Sequence, residues 1–361
     1  MAQALHIVEP TLNNHAGHCH SLVEACAAAT GSVEPTIWAG RNSVGVWQGR
    51  GHIEPYFRRS LRRVQTFFLL RRLLREPGRV LISTAGTSDL LAADMAARDT
   101  IPPGKLYFYF HWLGGKASKA GKLARIAARQ PNLEILAPTA TVADFFRDVG
   151  FRARIVPYPV PRLEDAAGEA ARIASFRHLV VAGAARLDKG FDRIVDLVAE
   201  LARREARLPI SVQASATHRD RHSPEIEREI ARLCEAAYPA LVLHTGTLEP
   251  AAYREAFRGG ISVQPYLAAD FSDRVSGVTL DALSAGCPVV VTAGTWMARV
   301  VEDHRAGVAT ADLSPAGLIQ AIDTILADYP AYAARAAEAG RDLQNRHSAE
   351  RMIDAIFGPP S

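Results

Sequence analysis

The chain has 361 residues, 48% of them apolar and 22% charged, which is long enough for two ordinary globular domains and excludes a disordered or fibrous protein. A formal charge of +4 at pH 7 is small for this length, so nothing global calls for a nucleic-acid partner. Four cysteines without a Cys-x-x-Cys pair argue against a disulfide scaffold or a zinc site and suit a reducing cytosol.

The first eight residues lack the basic start and long apolar stretch of a signal peptide. No run approaches the roughly 20 apolar residues that span a bilayer. A cytoplasmic location is expected. From residue 5 onward, short apolar runs alternate with longer segments of helical period. The runs at 5–8, 36–39, 80–83, 106–110, 135–137 and 155–157 form one series. Those at 178–182, 210–213, 241–244, 261–264 and 289–291 form a second. Short buried strands separated by helices imply parallel sheets, so the expected class is α/β with two Rossmann-like domains. The join is expected where Pro157, Pro159 and Pro161 give way to a charged, Ala-rich stretch. This places one domain at 1–160, a second at 161–345 and a helical tail at 346–361.

After the first strand, Asn13-Asn-His15-Ala-Gly17-His18-Cys-His20 runs into a helix. Gly17 lets the backbone approach a sugar or phosphate, and His18 is a candidate beside it. Three histidines in this spacing make poor chelate geometry, so no metal is expected there. Between Tyr56 and Arg75 lie seven arginines, interleaved with Phe and Leu and free of acids until Glu76. Two readings stand: an amphipathic basic helix on an anionic membrane surface, or a packing helix with its arginines in water. Next, Phe110-His111-Trp112-Leu-Gly-Gly115 closes an aromatic strand, at the end where open α/β sheets bind ligands.

The second series opens on Gly183-Ala-Ala-Arg186-Leu-Asp-Lys189-Gly190-Phe191, a strand-to-helix turn. Arg supplies a planar fork and Lys a point charge, both suited to a diphosphate. Further on, Asp273-Arg-Val-Ser276-Gly277-Val278-Thr-Leu-Asp281 sets two carboxylates eight positions apart around a Ser-Gly step. Such a step offers free N–H groups at a helix N-terminus, where a phosphate can bind. No Asp-x-Asp triplet occurs, so no divalent metal and no other cofactor is expected.

Together these two segments resemble the GT-B glycosyltransferases, family 4-like. The Gly-x-x-Arg-x-x-Lys-Gly-Phe segment and the paired acids stand in the family's order, with Asp-x7-Asp where Glu-x7-Glu is usual. The resemblance implies two Rossmann-like domains facing across a central cleft, the acceptor on the first and the nucleotide sugar on the second. It implies a last helix, at 348–357, returning to the first domain. It implies Arg186 and Lys189 on the diphosphate, Asp281 on the ribose, and Asp273 and His111 on the transferred sugar. Amides at Gly183, Ser276, Gly277 and Val278 would hold phosphate, and the segment through Gly246 and Thr247 would receive the base. Trp296 would stack on a sugar or belong to the core. The implied reaction is retaining hexosyl transfer to a glycan or lipid-linked acceptor without a metal, as in bacterial polysaccharide biosynthesis. Peripheral attachment to the inner face of the plasma membrane is part of that picture. A non-hydrolysing UDP-sugar 2-epimerase and a non-catalytic nucleotide-sugar-binding partner remain as alternatives.

Overall fold

The computed structural model describes residues 4–13, 18–114, 116–161, 175–214, 217–218 and 221–358. Gly17, Gly115 and the Ala-rich stretch after Arg162 lie outside the described residues. The chain divides into two compact units, one of Met1–Arg162 with Arg346–Ser361 and one of Leu163–Asn345.

In the first unit, seven strands form one sheet: β1 (Leu5–Glu9), β2 (Thr36–Gly40), β3 (His52–Phe57), β4 (Arg79–Ile82), β5 (Leu106–Tyr109), β6 (Glu134–Ala137) and β7 (Arg152–Ile155). Their order is β3-β2-β1-β4-β5-β6-β7, and every neighbouring pair is parallel. The register sets Ile7 between Ile37 and Leu81. A parallel strand is covered on both faces, so its residues are apolar almost without interruption; β5 is buried at every position. The helices are α1 (His18–Ala28), α2 (Arg62–Leu73), α3 (Thr87–Ala96), α4 (Ala120–Arg129) and α5 (Ala140–Asp148). Leu69 and Leu70 of α2, Leu90 of α3, Leu123 of α4 and Phe146 of α5 share one core with Val80, Phe108 and Ile135. Burying each such side chain contributes about 1.5–3 kcal/mol.

Three expectations need correction. The strand expected at 155–157 lies at β7 instead, because Pro157 has no N–H for a ladder. β3 was not anticipated: Glu54 and Pro55 interrupt its pattern, and the sheet edge tolerates both. The basic segment 56–75 is not one helix. Tyr56 and Phe57 end β3, Arg59–Leu61 is a 3₁₀ turn, and α2 begins at Arg62. Gln65 fixes that junction, accepting from the Arg58 N–H at 2.7 Å and donating to the Tyr56 carbonyl at 2.7 Å.

The second unit repeats the scheme. Its strands are β8 (His178–Val181), β9 (Ile210–Gln213), a small antiparallel pair β10 (Thr217–His218) and β11 (Arg221–His222), then β12 (Leu241–His244), β13 (Gly260–Gln264), β14 (Val289–Thr292) and β15 (Gly307–Thr310). The main sheet runs β12-β9-β8-β13-β14-β15, all parallel. Helices α6 (Phe191–Arg203), α7 (Pro224–Glu235), α8 (Pro250–Glu255), α9 (Ala268–Phe271), α10 (Gly277–Ser284), α11 (Trp296–His304), α12 (Pro315–Leu326) and α13 (Tyr329–Arg346) connect and follow them. Phe191, Ile194 and Val198 of α6 meet Leu318 and Ile322 of α12 in the core beside β8 and β13.

A last helix, α14 (Ala349–Phe357), belongs to the first unit and packs on α1. Tyr107 donates its hydroxyl to the Ile356 carbonyl at 3.0 Å, and the Arg79 guanidinium lies 5.0 Å from the Phe357 ring centroid.

Candidate functional site

Strand order in the second sheet reverses between β8 and β13, and a reversal of this kind opens a crevice at the carboxyl ends of the two strands. The chain leaves β8 through Ala182 into Gly183, whose φ is +90°. A Cβ at Gly183 would lie 3.1 Å from Lys189 Nζ and 3.3 Å from a Val278 methyl, so glycine is what lets these three residues converge. Gly190 is equally constrained. Its φ is +66°, and a Cβ would come within 2.1 Å of the Pro265 carbonyl oxygen. The 3₁₀ turn Leu187–Lys189 is thereby pressed against the chain leaving β13. Arg186, Lys189 and Gly190 are thus fixed at one strand edge by local backbone demands.

Charge is concentrated there. Arg186 Nε donates to Asp188 Oδ1 at 2.7 Å, and its Nη2 pairs with Asp188 Oδ2. Arg274 Nη1 stands 3.7 Å from the same Asp188 oxygen. Burial pushes the Lys189 ammonium down to about 8, with Arg186 and Arg274 adding to the fall and Asp188 and Asp281 opposing it. Burial also raises the Asp281 carboxyl to about 6, against the opposing pull of Tyr253 and Lys189. Tyr253 donates its hydroxyl to Asp281 Oδ2 at 2.9 Å.

On the β13 side, Ser276 caps α10 by accepting from the Thr279 N–H at 3.3 Å. Tyr266 hydrogen-bonds to Ser276, and the Lys189 ammonium lies 5.3 Å from the Tyr266 ring centroid. Gly277 has open space around its Cα, so the first turn of α10 is approachable. Asp273 Oδ1 accepts from Arg299 Nη2 at 3.0 Å, and its buried Oδ2 meets no hydrogen-bond donor among the described residues. Such an oxygen can accept from a ligand hydroxyl at no cost in broken bonds.

Gln213, at the end of β9, joins two loops. It accepts from the Gly183 N–H at 2.9 Å and donates to the Gly246 carbonyl at 3.4 Å. Gly246 therefore sits one side chain away from the phosphate-type turn, while Thr247 is exposed in the loop beyond β12. Trp296 opens α11 and is half-buried.

His111 and His18 belong to the other unit. His18 opens α1. His111 follows β5, 8% exposed, between the ring edges of Tyr109 and Tyr158 at 4.9 and 5.4 Å. Its Nε2 lies 2.9 Å from the Ser83 carbonyl, which can only accept, so Nε2 carries the proton. The same edge holds the buried Glu9 carboxylate, which accepts from the Thr11 N–H at 3.1 Å and from the hydroxyls of Ser83 and Thr84 at 2.7 and 2.6 Å.

Sequence reasoning passed over Gln213, Tyr253, Tyr266, Arg274, Arg299 and Glu9. Arg274 alone carried a signal, standing inside the paired-acid segment. The others are separated in sequence from what they touch, the bond of Glu9 to Thr11 excepted. Among the described residues no three His, Cys, Asp or Glu side chains gather as a metal would require.

Residues 176–328 match the family model described as glycosyl transferases group 1. The second unit is a group 1 glycosyltransferase domain. Among curated proteins, none matches the chain by sequence. Solved structures resemble it along its whole length. Sucrose-phosphate synthase from Thermosynechococcus elongatus superposes with a TM-score of 0.69 at 14% identity, covering 98% of each chain. HepE from Anabaena, in complex with UDP-glucose, gives 0.70 at 13% identity, again over 98% of each. WaaG, a glycosyltransferase involved in lipopolysaccharide biosynthesis, gives 0.63 at 14%, covering 98% of this chain and all of that one. At these identities the likeness establishes the GT-B fold of two Rossmann-like units.

Proposed function

We propose that this glycosyltransferase moves a hexosyl group from a nucleoside-diphosphate sugar to a glycan or lipid-linked acceptor, with retention of configuration and without a metal. The observation that carries this reading is the convergence of Gly183, Arg186, Lys189 and Val278 beside the N-terminus of α10. A departing nucleotide needs its growing negative charge met by fixed positive groups, and preorganised donors in a partly dry site do that without reorganisation. Arg186, Lys189 and the amides of Gly277 and Val278 supply them. Asp281, steadied by Tyr253, is suited to a ribose hydroxyl, and Oδ2 of Asp273 to a sugar hydroxyl. In the neighbour solved with UDP-glucose the ligand named is of this class.

The first unit carries the acceptor in this reading, and its helical layer suggests where the acceptor is met. Leu61, Val64 and Phe68 are 47, 56 and 57% exposed and recur along one stripe of the 3₁₀ turn and α2. Arg58, Arg59, Arg63, Arg72 and Arg75 flank them, and Lys119, Lys122 and Arg125 stand exposed near and along α4. Residues 58–130 hold fifteen basic side chains and four acidic ones, an excess of eleven where the whole chain has +4. No described helix is long and apolar enough to cross a membrane. An exposed apolar stripe between arginines fits an anionic membrane surface instead.

The decisive experiment incubates the protein with a panel of radiolabelled nucleotide sugars, alongside Arg186→Ala. Hydrolysis or transfer of one donor is expected, with Arg186→Ala slower by roughly 10²–10³. Release of a free epimer, or activity of the variant within threefold of the parent, would reject the reading.

A further inference from the structure

Asp188 stands between two guanidiniums at the carboxyl edge of the β8–β13 pair. Arg186 grips it with Nε at 2.7 Å and with Nη2, the parallel fork that arginine also makes to a phosphate. Arg274 reaches the same carboxylate from the entry loop to α10, 3.7 Å away. Arg274 is held in place rather than loose. Its side chain is 18% exposed and its guanidinium lies 4.7 Å from the Phe271 ring centroid. The Asp188 backbone is pinned too, since its carbonyl accepts from the Leu267 N–H at 2.9 Å. Its side chain, 22% exposed, is the part that can turn away.

We propose that Asp188 is an internal anion occupying the place that the donor's diphosphate takes, and that Arg274 is a further cation of that site. The incoming phosphate displaces the carboxylate and takes over both guanidiniums. This rests on the diphosphate reading given above and names residues that reading does not contain. Charge supports the exchange. Three cations, Arg186, Lys189 and Arg274, face one another across Asp188, and both arginines help depress the Lys189 ammonium. One carboxylate offsets a single unit of that charge. The diphosphate of a nucleotide sugar brings two, with two unbridged oxygens on each phosphorus, so it wins the forks from Asp188. Until it arrives, Asp188 keeps two like-charged guanidiniums side by side and already oriented, which lowers the ordering cost of binding.

The test is calorimetric titration of UDP, GDP and inorganic pyrophosphate into the full chain and into Arg186→Ala, Arg274→Ala, Arg274→Lys and Asp188→Asn. Thermal unfolding confirms that each variant is folded. Arg274→Ala should weaken the preferred ligand at least tenfold and Arg274→Lys less. Asp188→Asn, which keeps the shape and removes the charge, should bind severalfold tighter and with a steeper dependence on salt. Arg274→Ala within twofold of the parent, while Arg186→Ala fails, overturns the role of Arg274 and leaves the diphosphate reading standing. Weaker or unchanged binding by Asp188→Asn makes Asp188 a scaffold for Arg186 and overturns the exchange. Unchanged binding by Arg186→Ala, or no binding of any of the three ligands by the parent, overturns both.

Discussion

Replacing Lys189 by Met should make the unliganded protein more stable while removing its grip on a diphosphate. The Lys189 ammonium falls from 10.5 to about 8 because burial and two nearby arginines disfavour its charged form. A folded-state value below the unfolded one means the penalty is fully present at neutral pH and lifts as pH rises from about 8 toward 10.5. At about 1.4 kcal/mol per pH unit, holding this charge costs the fold on the order of 3 kcal/mol. Two corrections reduce the gain on removal. The side chain is partly exposed, and Lys189 helps keep Asp281 ionised, so its loss raises the Asp281 carboxyl further. A net gain of about 1–2 kcal/mol remains, which for a unit of this size raises its Tm by roughly 2–8 °C. Met fills the space of the lysine stem, so no cavity enters the comparison. The assay is thermal unfolding of parent and variant, each with and without millimolar UDP. Ligand should raise the parent's Tm by mass action and leave the variant's unmoved. A variant that is less stable than the parent without ligand would refute the argument, because the ammonium would then be satisfied before any anion arrives.

Donor binding should depend on pH through Asp281, whose carboxyl titrates near 6: affinity for UDP should fall between pH 7 and 5 as the carboxylate takes up a proton. The same group penalises the fold above about 6 and releases that penalty as pH drops toward its ordinary 3.8, so affinity and stability should move in opposite directions. Tyr253→Phe, measured by the same titration, should weaken UDP several-fold and shift the profile upward; an unshifted profile would detach Tyr253 from Asp281. Transfer should survive excess EDTA, and full loss restored by magnesium or manganese would overturn the metal-free chemistry. Co-sedimentation with anionic vesicles, absent with neutral ones, should fade with salt, since each surface arginine contributes about 1 kcal/mol. Reversing Arg58, Arg59 and Arg63 to Glu should abolish it without affecting UDP binding; a protein left in the supernatant at low salt would remove the membrane reading.

What could be read from the sequence follows from how local each feature is. The run Val289-Val-Val is buried on both faces and announces a parallel strand by itself. The Arg186–Gly190 turn is legible for the same reason: its glycine and its charges lie within five positions. β3 was invisible because an edge strand keeps Glu54 and Pro55 at positions a central strand would refuse. The true start of α2 was hidden because Gln65 sets it through bonds to Arg58 and Tyr56, a choice that no helical periodicity expresses. Tyr253 and Tyr266 carry no local signal in the sequence; Tyr266 is buried and Tyr253 half-buried. Only their hydroxyl partners, Asp281 and Ser276, give them work, and those lie 28 and 10 positions away in the chain.

The return of α14 to the first unit has a consequence for biosynthesis. On the ribosome, β1 to β7 emerge before any of Leu163–Asn345, yet the helix that covers α1 and takes the Tyr107 hydroxyl emerges after all of it. Units ordinarily fold in the order in which they are made. Here the first-made unit waits with one face uncovered while the second, contiguous in sequence, can finish ahead of it. A nascent chain halted anywhere before Ala349 would therefore leave uncovered the face of α1 on which α14 packs.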